Sequence, residues 1–520
     1  MKQFENVRIK KPTKSVFDLS HERKMSMNMG DLVPCFVSEV IPGDNFRLNM
    51  EMLVRMQPLI APVMHRMNVS THFFFVPYRL VWDAWEEFIT GKVATMPMIK
   101  GLESGFHLSA LVNNGTLADY LGIPVTRYKE MDDVLLDAIP FSQIPFRAYQ
   151  LIYNEYFRDQ NLITEITNYK GSDDYDIEDS EATDLMTIRK RCWEKDYFTS
   201  ALPTAQRGTP VLFPLVGDAP VAGKLRVSTY GHTAPADGDI RVDNSIDDTI
   251  EDANGVPLAV FPTGDGLRVD LTGATSTTVN DMRTAYAIQR WLEKSMRFGQ
   301  RYIEQLLGVF GVRSRDSRLQ RPEYLGGGKM PLTISEVLQN SPPNADYETP
   351  QGNMAGHGVT AGNINGFSRY FDEHGIIIGI MSIMPRTAYS QGLPKLFFKA
   401  SPYEFLTPDF AHIGEEPVYN KELYLCDKLD EMNVFGYQPR YTDYRYMNDT
   451  IHGDFRDNLS YWHMARKFSA APCLDETFVT ANPTSEIFAV EDPAFHKILV
   501  QSYAHCKVSR SLPYWGEPMP

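Results

Sequence analysis

Cysteine is scarce in these 520 residues and offers no pairing. Cys35, Cys192, Cys426, Cys473 and Cys506 are odd in number, far apart and never spaced as C-x-x-C. That pattern excludes a disulfide framework and a thiolate zinc site, and leaves five reduced thiols expected in the interior. Positive charge is short as well. With 51 Lys and Arg against 66 Asp and Glu the formal charge is -15, which excludes a surface given over wholly to nucleic acid. Long apolar runs are missing. The longest, "IIIGIMSIM" from Ile376 to Met384, is about half of what a spanning helix needs. The opening "MKQFENVRIKKPTKS" has no apolar stretch after its basic residues and is not a secretory signal. The expectation is a soluble chain made and kept in a cytosol, without a membrane partner.

Catalytic signatures are equally sparse. The 12 His form no H-E-x-x-H, no H-x-H and no Cys/His cluster, and there is no G-x-S-x-G elbow. "LGGGKMP" (Leu325 to Pro331) lacks the spacing of a phosphate loop and reads as a turn. "GNMAGHGVTAGN" (Gly352 to Asn363) reads as a flexible loop that orders against a partner. No catalytic residue, cofactor or metal is expected, and the chain is not read as an enzyme.

What is present is strand pattern and aromatic surface. In "FRLNMEMLVRM", Phe46, Leu48, Met50, Met52, Val54 and Met56 alternate with mostly polar residues, the mark of a half-buried strand. "LVPCFVSEV" before it is strand-like too, and "IPGDN" between them suggests a hairpin. "NVSTHFFFV" predicts a third strand ending at Pro77, with Phe73 and Phe75 facing the core. Phe74 then needs cover from a helix, an insertion or another subunit, and the helical stripe containing Trp82 and Trp85 is one source. Pro145 opens a helix in "FRAYQLIYNEYFRDQ", and Asp184 is the expected cap of "LMTIRKRCWEKDYF". A long helix runs from Asn280, interrupted at Gly299. "HGIIIGIMSIMP" predicts a fully buried strand, and "FHKILVQSYAHCKVSRSLP" a further pair.

Strands at both ends, helices and loops between, and 34 Pro with 35 Gly fit an antiparallel sandwich with enlarged connections. The first and last strands should then share one core. Residues 172–184 are acidic and read as a solvated loop. Residues 205–280 lack Trp and Cys, alternate weakly, and read as a small β-rich surface insertion. Tyr and Arg interleaved with Asp and Asn in "YNEYFRDQN" and "FGYQPRYTDYRYMNDTIHGDFRDNLSYWHMARKF" have interface composition. Candidate interface residues are Phe74, Trp82, Trp85, Tyr153, Tyr156, Arg440, Tyr441, Tyr444, Arg445 and Tyr446. A packed surface loop and a stacking platform for single-stranded bases are the other readings of that composition. A carbohydrate-binding or carbohydrate-cleaving β-sandwich is an alternative for the whole chain, from its abundant Tyr, Trp and acidic residues.

Several longer stretches are specific together. "FDLSHERKMSMNMGDLVPCFVSEVIPGDNF", "HFFFVPYRLVWDAWEEFITG", "PFRAYQLIYNEYFRDQNL", "FGVRSRDSRLQRPEYLGGGKMPLTISEVLQ" and "GIMSIMPRTAYSQGLPK" stand in order from about residue 16 onward. With the Phe435 to Phe468 stretch, this series resembles the major capsid proteins of microviruses, the gokushovirus branch in particular. The resemblance implies one eight-stranded antiparallel jelly-roll, mainly β, with long insertions of helices and loops. It implies self-assembly into a T=1 icosahedral shell around circular single-stranded DNA, hence a virion protein made in a bacterial cytoplasm. By the same resemblance the partners are a small basic DNA-packaging protein, other virion proteins and a host-cell receptor. Residues 1–27 are then an arm and 28–520 the jelly-roll, with 205–280 the candidate for a threefold protrusion. Within the arm Arg8, Lys10, Lys11 and Lys14 are the candidate DNA contacts.

Overall fold

The computed structural model describes residues 13–515, except 93–94, 101–110, 126–139, 168–169, 177–178, 300, 314, 341–350, 427–432 and 491; within 210–278 it describes six short strands. Two compact units result, 206–294 and the remainder of the chain.

The larger unit is built on one antiparallel sheet. Its strands are β1 (Ser15–Asp18), β2 (His21–Met27), β3 (Val33–Val40), β4 (Asn45–Met56), β5 (Met67–Pro77), β6 (Glu323–Leu338), β7 (Met354–Tyr370), β8 (Gly375–Pro385) and β9 (Ile498–Arg510). The order across the sheet is β1-β9-β4-β7-β6-β5-β8-β3, with β2 also on β9. β1 and β2 pair with consecutive stretches of β9, Lys507–Arg510 and Ile498–Ala504, so they form one edge broken at Leu19 and Ser20. Eight strand positions result, as the sequence reading anticipated, and the first and last strands lie side by side.

The sheet curls on itself through its long strands. β6 pairs with β5 up to Leu332 and with β7 from Thr333, so it passes from one half of the fold to the other. Side chains from both halves fill the space between, including Phe36, Phe46, Leu48, Met52, Phe73, Phe75, Phe367, Met381 and Val500. The alternation along β4 holds at every predicted position from Phe46 to Met56. This curled antiparallel sandwich is the jelly-roll architecture, mainly β, with helices and loops in its connections.

Pairing departs from expectation in several places. β3 and β4 do not form a hairpin: β3 pairs with β8, whereas β4 lies between β9 and β7. Each has an apolar face, and set in opposite halves those faces bury one another, which neighbours in one sheet could not do. The turn between them has Gly43 at φ +94 and the buried Asp44 carboxylate, bonded by Arg510 at 2.7 Å. The C-terminal stretch is a single strand of 13 residues, not a pair. "LGGGKMP" is no turn; it lies in β6, with a bulge between Tyr324 and Gly326. "GNMAGHGVTAGN" is no loop; Met354 onward is β7. Gly327, Gly356 and Gly366 stand where a Cβ would run into the backbone of Thr71, Ala61 and Leu48. Local glycine density signals a turn, but here it permits close approach of neighbouring chain segments.

A second apolar layer covers the outer face of β5 and β8. It contains Phe74, Val76, Ile376, Ile378 and Ile380 from the strands, and Trp82, Trp85, Phe146, Tyr149 and Ile152 from the β5–β6 connection. Helix α1 (Trp85–Ile89) is shorter than predicted, and helix α2 (Ile144–Ile152) starts with Pro145 in its first turn as expected. Covered on both faces, β8 is buried at all 11 of its residues. Arg147 of α2 is buried there too, donates to the Val81 and Gly171 carbonyls at 3.2 and 2.8 Å, and is pushed down to about 10 by burial. Asp184 is not a cap. It lies within a helix spanning Ser180–Met186 that begins after Asp179, and the chain beyond it is extended, with bridges at Lys190 and Cys192. The acidic 172–184 stretch is correspondingly not a plain loop. Of the thiols, Cys35 and Cys506 are buried, Cys192 and Cys426 partly so, and Cys473 is exposed, contrary to expectation.

The smaller unit contains three two-stranded antiparallel ladders, Arg226–Thr229 with Leu258–Phe261, Arg241–Asp243 with Thr249–Glu251, and Val221–Ala222 with Arg268–Val269. A helix Val279–Phe298 follows and stops at Gly299, whose φ of +104 ends it before the helix Tyr302–Phe310. No described helix is long and apolar enough to cross a membrane.

Candidate assembly surface

The connection from β8 to β9 carries a dense group of exposed apolar side chains. It has little regular structure: a hairpin of Glu415–Tyr419 with Val434–Pro439, two residue pairs joining 388–389 to 449–450, and several single turns. Prolines at 394, 402 and 408 each stand at the start of a single turn and break the extended chain there. It is anchored by an apolar cluster in which its Tyr389, Val418, Leu423, Phe435 and Phe478 meet Tyr197 and Phe198 of the β5–β6 connection.

Polar bonds lock that base. The Tyr389 hydroxyl donates to Asp196 at 2.7 Å, and the Tyr197 hydroxyl to Glu422 at 3.0 Å. Burial raises both phenols well above their ordinary range, and the neighbouring carboxylates add to it. Burial likewise raises the Glu422 carboxyl, against the opposing Tyr419 amide bond. Arg466 lies 4.1 Å over the Phe478 ring and donates to the Phe478 carbonyl at 2.7 Å. Tyr441 is buried and left-handed at φ +64, with its amide on Glu416 at 3.1 Å.

Above this base the side chains turn outward. Leu396 is 72% exposed, Phe397 70% and Met447 89%, and Tyr403, Phe405, Leu406, Ile413, Tyr444 and Tyr446 are exposed with them. Lys399 packs 4.0 Å over Tyr444 while paired with Asp443, and Arg440 packs 5.1 Å over Tyr441, so the cations stiffen the aromatics. A cleft of ≈ 520 Å³ opens among Tyr389, Lys395, Leu396, Glu422, Tyr444 and Met447. Four buried polar atoms here, Asn420 Oδ1, Arg440 Nε, Asp443 Oδ1 and Asn448 Oδ1, have no hydrogen-bond partner among the described residues. A group of exposed apolar side chains of this extent is a surface that gains by being covered.

The predicted interface residues divide. Arg440, Tyr441, Tyr444, Arg445 and Tyr446 lie together here, with Tyr444, Arg445 and Tyr446 exposed and Tyr441 beneath them. Phe74, Trp82, Trp85 and Tyr153 are buried within the chain, which leaves them little side-chain surface for a neighbour. Phe74 meets Tyr156 at 4.7 Å, Tyr324 at 5.5 Å and Phe157 at 5.8 Å. Trp82 and Trp85 belong to the same layer, but the rings on Phe74 are these three. Tyr156 is half-buried and donates to the Pro322 carbonyl at 2.5 Å. Of the basic arm, Arg8, Lys10 and Lys11 lie outside the described residues. Lys14 bonds the Gly43 carbonyl at 2.5 Å and sits 5.2 Å over Tyr370. Ser15 to Met27, assigned to the arm, is paired along β9.

Leu396, Phe397 and Met447 were missed because they follow no strand or helix period. For Leu396 and Phe397 the signal was compositional: "GLPKLFFKASPYEFLTPDFAHIG" has five Phe and Tyr without alternation, between prolines.

A family model described as capsid protein (F protein) matches residues 5–519. Among curated proteins, capsid protein VP1 of Chlamydia phage 1 is 34% identical, over 97% of this chain and 95% of that protein. Capsid protein VP1 of Bdellovibrio phage phiMH2K is also 34% identical, with the same coverage. Capsid protein VP1 of Spiroplasma virus 4 is 30% identical over 90% of this chain and 87% of that protein.

Proposed function

Because the chain belongs to the capsid protein (F protein) family and is a structural major capsid protein of a bacteriophage virion, we propose that copies of it close into a T=1 icosahedral shell around circular single-stranded DNA. The observation that carries the assembly reading is the exposed Leu396, Phe397 and Met447 surface. A neighbouring copy would cover it. Assembly takes place in the host cytoplasm on this reading, and the carbohydrate-directed alternative has no observation in its favour.

Residues 1–14 act as an arm in this scheme, with Arg8, Lys10, Lys11 and Lys14 toward DNA, and 15–520 as the jelly-roll with its insertions. At -15 per copy the shell is strongly acidic, so a small basic packaging protein or cations must accompany the DNA. The compact 206–294 unit, which includes most of the 205–280 insertion, is the proposed protrusion and receptor contact.

The test is to express the full chain and the triple variant Leu396→Asp, Phe397→Asp, Met447→Asp. Sedimentation and negative-stain microscopy should show closed shells for the first and folded, unassembled subunits for the second. Shells formed equally by both would refute the proposed surface. Deleting 206–294 should leave shells intact while lowering adsorption to host cells, and unchanged adsorption would remove the receptor role.

A further inference from the structure

We propose that an open arginine groove formed by Arg313, Arg315 and Arg318 beside Tyr302 binds phosphates of single-stranded DNA; this rests on the reading of the chain as a DNA-enclosing shell. Residues 297–321 hold six arginines, at 297, 301, 313, 315, 318 and 321, against Glu304 and Asp316, a local excess of four positive charges in a chain of -15. Half of them are spent internally. Arg297 pairs with Glu415, Arg301 with Glu304 at 3.6 Å, and Arg321 with Asp316 at 3.4 Å. Arg313, Arg315 and Arg318 are exposed, and their guanidinium groups have no hydrogen bond or ion pair among the described residues.

These three line one groove of ≈ 880 Å³ with Tyr302, Arg79 and Glu373. Glu373, its carboxylate, is occupied by Arg79, whose Nη2 donates to it at 3.1 Å. The backbone turn from Arg315, closed by the Arg318 and Leu319 amides on the Arg315 carbonyl at 3.1 and 3.2 Å, places Arg315 and Arg318 three residues apart on one turn. Guanidinium forks match phosphate oxygens, and an exposed ring among them offers a base a stacking face. Tyr302, 66% exposed, is that ring.

Strand register puts the groove at the end of the sheet where the basic arm leaves it. Ser15 stands opposite Arg510, and Asn45 opposite both Ser509 and Tyr370. Pro77, two residues before Arg79, stands opposite Gly375, two after Glu373. Lys14 over Tyr370 and the groove thus share one end of the sheet.

The experiment measures binding of labelled oligo(dT) to the full chain across a salt series. The wild type is compared with the triple Arg313→Gln, Arg315→Gln, Arg318→Gln and with the corresponding triple Lys variant, with thermal unfolding and particle formation followed in parallel. Each phosphate contact contributes about 0.7 to the log–log salt slope, so the Gln triple should lose about 2 from that slope and the Lys triple should retain it. An unchanged slope in the Gln triple overturns the proposal. So does equal loss in the Lys triple, or normal oligo(dT) binding with failed particles, which would assign the groove to carboxylates of a second copy. Absence of closed shells from the wild type would instead count against the capsid scheme itself, whatever the slope.

Discussion

Replacing Phe74 with alanine separates cover within the chain from cover by a neighbour. The ring is 1% exposed, and its three aromatic contacts all come from the same chain. Burying a phenylalanine removes roughly 200 Å² from water, up to about 5 kcal/mol at about 25 cal/mol per Å². The methyl that alanine keeps, and burial already present in the unfolded chain, reduce this to about 3–4 kcal/mol, within the usual range for Phe→Ala. The loss should appear as a lower denaturant midpoint of the unassembled subunit, with an unchanged m-value. Phe73→Ala, on the opposite face and fully buried in the inter-sheet core, should cost a similar amount. If Phe74→Ala left subunit stability within about 0.5 kcal/mol of wild type yet blocked shell formation, the ring would have to face another copy. Its cover by Tyr156, Phe157 and Tyr324 would then be misassigned.

Two titrations should oppose one another. Burial raises the Asp31 carboxyl from 3.8 to about 6, partly offset by Lys190, so the folded chain holds this proton more tightly and loses stability as pH rises through that window. Burial lowers His72 from 6.5 to about 4, with Arg191 and Lys329 adding to it, so the folded chain gains stability over nearly the same rise. Each amounts to at most about 3 kcal/mol. Denaturant midpoints between pH 4 and 7 should therefore rise more steeply with pH in Asp31→Asn than in wild type and less steeply in His72→Gln; parallel curves would refute both assignments. Gly366→Ala, at the register shift between Ile364 and Phe367, should destabilise by about 2–3 kcal/mol because its Cβ meets the Leu48 carbonyl, and an unchanged melting temperature would show that β4 can yield there.

Elements with a strong local period were legible without coordinates. β4, β5 and β8 stand where alternation or a continuous apolar run placed them, because a side chain's face is set by its own backbone. Aromatic and polar composition likewise marked 435–468, and Arg440, Tyr441, Tyr444, Arg445 and Tyr446 do lie together. Gly326 to Gly328 and Gly356 to Gly362 were misread because a missing Cβ is a local fact, while the chain segment that exploits it arrives from elsewhere.

By itself, the sequence determined which residues alternate, where helices break at Gly91 and Gly299, and, through its ordered motifs, the family. Only the tertiary structure decided which strands are neighbours. It set β3 across the core from β4, brought β1 and β2 onto β9, and turned Phe74 inward while leaving Leu396, Phe397 and Met447 outside. The physical reason is that pairing and cover are contacts between distant segments, whose free energy depends on what each apolar face finds opposite it, and no local window of sequence contains both partners.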